Sequence, residues 1–297
     1  MRSPIAPAPV EMTPATTGRF SNVGVGGMNP VMVLLVSLLS LFGICLGAGS
    51  GASEPYTVMF YSSGSLRIQA YLYVPQAQSP FPVVIYNHGS RVGRERTSMP
   101  WQFIGALLTQ SGYAAFMPER RGYGQSDGVP FSGTEGGVRL VAGLQAETDD
   151  VLAAVAFLRT VPQIDTKRIG IMGWSFGGIV TMFAVSRTDA FRAAVDQAGG
   201  ALTWDHSPAL RNALEQATRQ VKAPVLFMVA QNDSTTASVT TLAKILQEAG
   251  RPHRLRIYPP YYPPQNPGIA LGHLIFLSEG MPLWQSDVVA FLDQYVK

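Results

Sequence analysis

The chain has 297 residues, of which 46% are apolar and 14% charged, with a formal net charge of +3. The charged fraction is low against the ~25% of an average domain, and no Lys/Arg run or basic helix accompanies the positive excess, which argues against nucleic acid as a partner. The single cysteine, Cys45, lies in the apolar N-terminal segment, so the folded part holds neither a disulfide nor a cysteine nucleophile, and no His-Glu-x-x-His or paired-Cys motif points to a metal or cofactor.

Residues 1–30 are rich in Pro, Thr and Gly and are expected to be disordered. Val31 to Ala48 is an uncharged apolar run, preceded by Arg2 and Arg19 and followed by small residues from Gly47 to Ser53. Segment 31–53 therefore reads as a secretory signal cleaved after Ala52, or as a retained membrane anchor through 31–48. Either reading exports the domain that follows, as a periplasmic, secreted or membrane-anchored protein.

From residue 54 to 297 the pattern is that of one domain. Tyr56–Ser62 and Leu66–Val74 alternate around Ser63-Gly64-Ser65 and predict a β-hairpin at a sheet edge. Pro82–Tyr86 predicts a short buried strand, Trp101–Gln110 a helix and Tyr113–Met117 the next strand. After a Gly-rich polar stretch, Arg120 to Gly137, a helix is expected over Ala146–Leu158, then a strand over Arg168–Met172 and a helix over Gly178–Val185. Further strands are expected at Ala193–Val195, Val225–Ala230 and Arg254–Tyr258, with helices at Ser238–Ala249 and Trp284–Tyr295. Gly200–Lys222 is left as an irregular or helical stretch that offers a place for a short lid. This alternation implies a mostly parallel central sheet with helices on both faces and an antiparallel N-terminal edge hairpin.

Two stretches match Gly-x-Ser-x-Gly: Gly124-Gln125-Ser126-Asp127-Gly128 and Gly173-Trp174-Ser175-Phe176-Gly177. The pattern describes a tight strand-to-helix turn whose small neighbours let the backbone fold sharply and lift a serine Oγ into the open. Ser175 has a strand before it and a helix after it. Ser126 is followed by Gly128, Pro130, Gly133, Gly136 and Gly137, which leave no helix for the turn to open. Ser175 is the candidate nucleophile.

A serine hydroxyl needs a histidine to take its proton, and that histidine needs a carboxylate to fix its tautomer. In folds built on this elbow the acid and then the base follow the serine along the chain. Of four histidines, His88 precedes Ser175, His206 lies in the irregular stretch, and His253 sits at the wrong end of a strand. His273, between the last strand and the last helix, is left as the base. Asp233, just past the strand Val225–Ala230, is the candidate acid, ahead of Asp196 and Asp205. Backbone N–H groups for a developing oxyanion would come from Phe176 and, in the turn His88-Gly89-Ser90, from Ser90.

His88-Gly89, the segment Arg120-Arg121-Gly122-Tyr123-Gly124-Gln125-Ser126-Asp127-Gly128, the Gly173–Gly178 elbow, Asp233 and His273 together resemble the α/β-hydrolase superfamily, in its dienelactone hydrolase-like and prolyl-oligopeptidase-like branches. The resemblance runs from about Tyr56 to Tyr295. It implies the α/β-hydrolase fold and makes the segment around Ser126 a structural loop beside the site. Dienelactone hydrolases proper use a cysteine nucleophile, and this chain has Ser175. The long propeller of prolyl oligopeptidases is absent.

The expected reaction is hydrolysis of a small-molecule ester through Ser175, Asp233 and His273, without a cofactor. The alternatives are a peptidase or acyltransferase with the same three residues, or a binding protein of hydrolase descent. Trp174 beside the nucleophile, and Tyr261 and Tyr262 in a Pro/Tyr-rich loop, are candidate pocket residues. Arg91, Arg94, Arg96, Arg120 and Arg121 come from two loops near the site and would favour an anionic substrate if they were free.

Overall fold

Strands that alternate between apolar and polar residues can face water on one side, and those that are apolar throughout need cover on both. The computed structural model describes residues 54–130, 136–265 and 270–297, and it places the strands that are apolar throughout in the middle of the sheet. The alternating pair, β1 (Thr57–Ser63) and β2 (Leu66–Tyr73), forms an antiparallel edge hairpin whose turn uses Gly64 at φ 59°. The apolar strands β3 (Phe81–Asn87), β4 (Ala114–Glu119), β5 (Ile164–Trp174), β6 (Phe191–Gln197) and β7 (Val225–Ala230) fill the middle, and β8 (His253–Tyr258) closes the far edge. The eight strands run in the order β1-β2-β4-β3-β5-β6-β7-β8, parallel except at β1–β2 and β2–β4.

That order decides where the helices go. Crossovers between parallel strands are right-handed. The step from β3 to β4 runs opposite in direction to the steps β5 to β6, β6 to β7 and β7 to β8. Helix α1 (Gln102–Gln110) therefore covers one face, and α2 (Gly137–Leu158), α3 (Phe176–Arg187), α4 (Pro208–Gln220) and α5 (Ala237–Glu248) cover the other. The last helix, α6 (Met281–Tyr295), joins α1. A Cβ at Gly170 of β5 would meet Leu292 and Val296, and one at Gly173, three residues on, would meet α3. Successive strand residues face opposite sides, so α6 and α3 lie on opposite faces.

Three expectations are corrected. Helix α2 starts at Gly137, nine residues before the expected Ala146, because Leu140 and Leu144 extend its buried face. Ser126 still lies well before it, so this helix does not turn Ser126 into an elbow. Trp101 is not helical; it caps α1 from the left-handed region at φ 51°, ψ 51°. The stretch 200–222 is not a lid. Its helix α4 buries Leu210, Leu214 and Thr218 and is the crossover between β6 and β7. The disordered region expected at 1–30 and the leader expected at 31–53 lie outside the described residues. Among the described residues no helix is long and apolar enough to cross a membrane.

The Arg120–Gly128 segment is fixed by buried ion pairs. Arg120, wholly buried, reaches Glu147 of α2 at 2.6 Å and donates to the His88 carbonyl at 2.8 Å. Arg121 forks onto Asp150 at 2.8 and 3.0 Å. Ser126 is 1% exposed, accepts from Gln69 N–H at 2.9 Å and donates to the Glu119 carbonyl. Its hydroxyl is spent on holding a loop.

Glu147→Gln leaves the Arg120 charge buried without its partner. Breaking a buried pair from one side costs about 3–5 kcal/mol. A denaturant titration should show a loss of that order, and a loss under about 1 kcal/mol would mean that water reaches the guanidinium.

Candidate active site

The elbow is made by two glycines. Ser175 sits at φ 59°, ψ −120°, between β5 and α3, a conformation that a residue with a side chain adopts only when its surroundings enforce it. A Cβ on Gly177 would lie 1.9 Å from the Asn87 carbonyl oxygen at the end of β3, and one on Gly173 would lie 2.2 Å from the Gly177 carbonyl. No side chain fits either place. Asn87 Nδ2 donates to Thr181 Oγ1 of α3 at 3.0 Å, and Ser175 N–H donates to the Gln197 carbonyl of β6 at 2.9 Å. The turn is thereby tied to the strands on both sides of β5.

His273 lies in a 3₁₀ segment, Leu271–Phe276, after β8. Its Nδ1 is 2.9 Å from Asp233 Oδ2 and 3.2 Å from Oδ1, with both side chains buried. Asp233 is held in turn by the Ser234 N–H, 2.7 Å from Oδ1. Because the carboxylate accepts, Nδ1 carries the proton, and Nε2 is left as the basic nitrogen. Nε2 is buried and has no hydrogen-bond partner among the described residues, the Ser175 hydroxyl included.

Several contacts hold the histidine loop in place. A Cβ on Gly272 would lie 2.5 Å from Asp233 N, so glycine is what lets the two loops meet. Trp284 Nε1 donates to the Ile275 carbonyl at 2.8 Å, and Trp174 Nε1 donates to the His273 carbonyl at 3.0 Å. Trp174 immediately precedes Ser175, and its ring lies 5.3 Å from the imidazole, so this bond links the serine turn to the His273 loop.

On the other side lies the turn after β3. A Cβ on Gly89 would be 3.2 Å from Ser175 Cβ, which places the His88-Gly89-Ser90 backbone over the serine. His88 braces that turn: its Nδ1 meets the Gly89 carbonyl at 2.7 Å. Burial, with Arg120 and Arg91 nearby, pushes His88 well below the usual histidine range, so it stays neutral. Phe176, next in chain after Ser175, has its ring in the core.

A cleft of about 710 Å³ opens beside these groups, lined among others by Ser90, Trp101, Trp174, Tyr261 and Leu274. Trp174 and Tyr261 are in its wall. Tyr262, expected there, is 68% exposed and lies outside the lining. The cause is Asn232, whose side chain donates to the Tyr261 carbonyl and accepts from its N–H, both at 2.8 Å, and so fixes which tyrosine turns inward. Trp101 is also in the wall, a position that its place at the start of a helical pattern does not reveal.

The arginines do not make an anion site. Arg91 is paired with Glu119, Arg120 with Glu147 and Arg121 with Asp150, while Arg96 donates to the Ser126 and Gly128 carbonyls at 2.6 and 2.8 Å. Arg94 lines the cleft, but so does Glu279, of opposite charge. Of the other histidines, His206 is exposed in a 3₁₀ turn, and His253 contacts the Arg251 carbonyl at the start of β8, away from the site.

Asp196 ends β6 behind the elbow. Its Oδ1 accepts from Gly199 N–H at 2.8 Å, and a Cβ on Gly178 or Gly199 would come within 2.4 or 2.3 Å of that oxygen. It makes no contact with His273 and is a packed, buried carboxyl rather than a triad acid.

This sheet order, with a strained serine after β5 and an Asp–His pair on the loops after β7 and β8, is the α/β-hydrolase fold. The model of the dienelactone hydrolase family matches residues 68–262, more than half of the chain, and the chain belongs to that family. The quorum-quenching protein AidA of Acinetobacter baumannii is 28% identical over 143 residues, 48% of this chain and 43% of its own length. The chain spans less than half the length of the curated relatives it matches. Among solved structures, an acylaminoacyl peptidase of Pyrococcus horikoshii superposes with a TM-score of 0.61 at 19% identity, over 82% of this chain and 42% of its own. An esterase of Pyrococcus furiosus superposes with a TM-score of 0.60 at 17% identity, over 82% of this chain and 93% of its own.

Burial raises the Asp196 carboxyl to about 7, with the Gly199 N–H only partly offsetting it. Its unfolded value is about 3.9, so between these limits the folded protein holds a proton that the unfolded chain releases, and stability falls as pH rises. Asp196→Asn keeps an acceptor for Gly199 and removes the ionisation. Its stability relative to the parent should improve by roughly 3 kcal/mol between pH 5 and pH 8. Thermal melts of both proteins at the two pH values check this, and a difference that does not change with pH would refute it.

Proposed function

We propose that this protein is a serine hydrolase acting on carboxylic esters, with Ser175 as nucleophile, His273 as base and Asp233 as the acid that orients it. The observation that carries the reading is the conjunction of a strained serine elbow with a buried Asp233–His273 pair, beside a cleft lined by their chain neighbours Trp174 and Leu274. The esterase fold matches over nearly its whole length, which favours an ester over a peptide substrate.

The reaction runs in two halves. Ser175 Oγ attacks the ester carbonyl carbon while its proton passes to His273 Nε2, and the carbonyl electron pair becomes an oxyanion. The Phe176 and Ser90 N–H groups are the donors for that charge. Collapse breaks the bond to the alcohol, which leaves with the proton from Nε2. A water molecule then attacks the acyl-serine and gives its proton to Nε2. The acid departs, and the proton returns to Ser175. The Ser175–His273 hydrogen bond forms once substrate is bound, since such bonds are often long in the free enzyme.

A fluorophosphonate probe should label the protein at Ser175. Ser175→Ala should lose both labelling and ester hydrolysis, and His273→Ala should lose about 10³–10⁶ in kcat. Ser126→Ala should still be labelled. Labelling that disappears with Ser126 and survives loss of Ser175 would sink the assignment, and faster turnover of aminoacyl anilides than of short esters would make the protein a peptidase.

Residues 31–53 are proposed to export or anchor this domain, on the strength of their uncharged apolar run alone. Sequencing the N-terminus of protein recovered from the producing cell should find Ser53 or a retained Met1 in a membrane or exported fraction. Full-length protein in the cytosol would refute it.

A further inference from the structure

The cleft wall beside Ser175 is aromatic and held stiff. Trp101 occupies the left-handed region, which a bulky side chain enters only at a cost in free energy. The structure enforces it from three sides. Met99 N–H donates to the buried Glu119 at 2.8 Å, Tyr73 Oη donates to the Pro100 carbonyl at 2.8 Å, and the Trp101 carbonyl takes the Ile104 and Gly105 N–H groups at 2.9 and 3.1 Å. The indole packs 6.4 Å from the Trp174 ring and 5.7 Å from Tyr86, and it remains only half-buried because it lines the cleft. Tyr261, from the loop after β8, shares the lining and is clamped by Asn232. Three charged residues line the cleft: Arg91 is held by the buried Glu119, and the other two, Arg94 and Glu279, are of opposite sign.

A rigid face of indole and phenol, with no net charge, discriminates by ring stacking and edge-to-face contact. Resting on the hydrolase reading above, we propose that Trp101 and Tyr261 are specificity-determining residues and that the substrates are esters carrying a planar aromatic ring in the acyl or the alcohol group. Their backbones are fixed before substrate arrives, so little ordering is needed on binding. Saturated rings of the same size would fill the same volume without the π contacts.

The test compares matched esters on the full chain. Methyl phenylacetate against methyl cyclohexylacetate reports the acyl side, and benzyl acetate against cyclohexylmethyl acetate the alcohol side, each kcat/KM divided by the rate of hydroxide-catalysed hydrolysis. In one arm the aromatic ester should lead by about three- to tenfold, the scale of an aromatic pair beyond its buried area. Trp101→Leu should bring that ratio towards one. Tyr261→Leu should lower it as well, and it decides the matter if the Trp101 variant does not fold. Ratios near one in both arms of the parent, or a ratio that survives both substitutions, would overturn the proposal. Binding of the same four esters to Ser175→Ala, followed by tryptophan fluorescence, keeps this separate from catalysis. An aromatic preference in binding without fluorophosphonate labelling of the parent would defeat the hydrolase reading alone, and labelling without aromatic preference would defeat this one alone.

Discussion

The site depends on one close approach of backbone to backbone. Gly177, in the first turn of α3, lies where a Cβ would reach 1.9 Å from the Asn87 carbonyl at the end of β3. Only that proximity allows β5 to reverse into α3 within a single residue, and it holds Ser175 at φ 59°. The strain at the serine is supported by the neighbouring strands, through Asn87 to Thr181 on one side and through Ser175 N–H to Gln197 on the other. A local sequence of small residues permits the turn, and the sheet order, which sets β3 and β6 on either side of β5, enforces it.

Charge plays a structural part around this turn. Arg91, Arg120 and Arg121 point at Glu119, Glu147 and Asp150, so the loop that follows β4 is locked to α2 and to the segment leading into α1. Such pairs contribute little net stability after desolvation but are costly to break, which makes them effective at specifying one loop arrangement. Glu119 serves both ends of this frame, since it accepts from Arg91 and also from Met99 N–H, two residues before Trp101. The frame that fixes the Ser126 loop therefore also positions the cleft wall.

His273 is placed by loops instead of strands. His273 reaches Asp233 because Gly272 can pass against the Asn232-Asp233 turn, and it is kept there by the two tryptophan N–H groups that bind the His273 and Ile275 carbonyls. Asn232, beside Asp233, simultaneously selects Tyr261 as the tyrosine that faces the cleft. Asp233, His273 and the pocket wall thus share one set of loop contacts, so a change that loosens one affects the others.

The sequence by itself determined the order of elements, the edge hairpin, the strand-to-helix turn at Ser175 rather than at Ser126, and the residues Asp233 and His273 as a candidate pair. Each of these rests on local information: side-chain periodicity sets strands and helices, and a strand followed at once by a helix distinguishes an elbow from a loop. Tertiary structure decided what depends on partners distant in the chain. It turned four of the five arginines to carboxylates or carbonyls, put Tyr261 inward and Tyr262 out, made 208–220 a crossover helix instead of a lid, and placed Trp101 in the cleft. A charged or aromatic side chain carries no local mark of whether its partner is water, a carboxylate or a substrate, because that partner is set by the packing of segments 25 or more residues away.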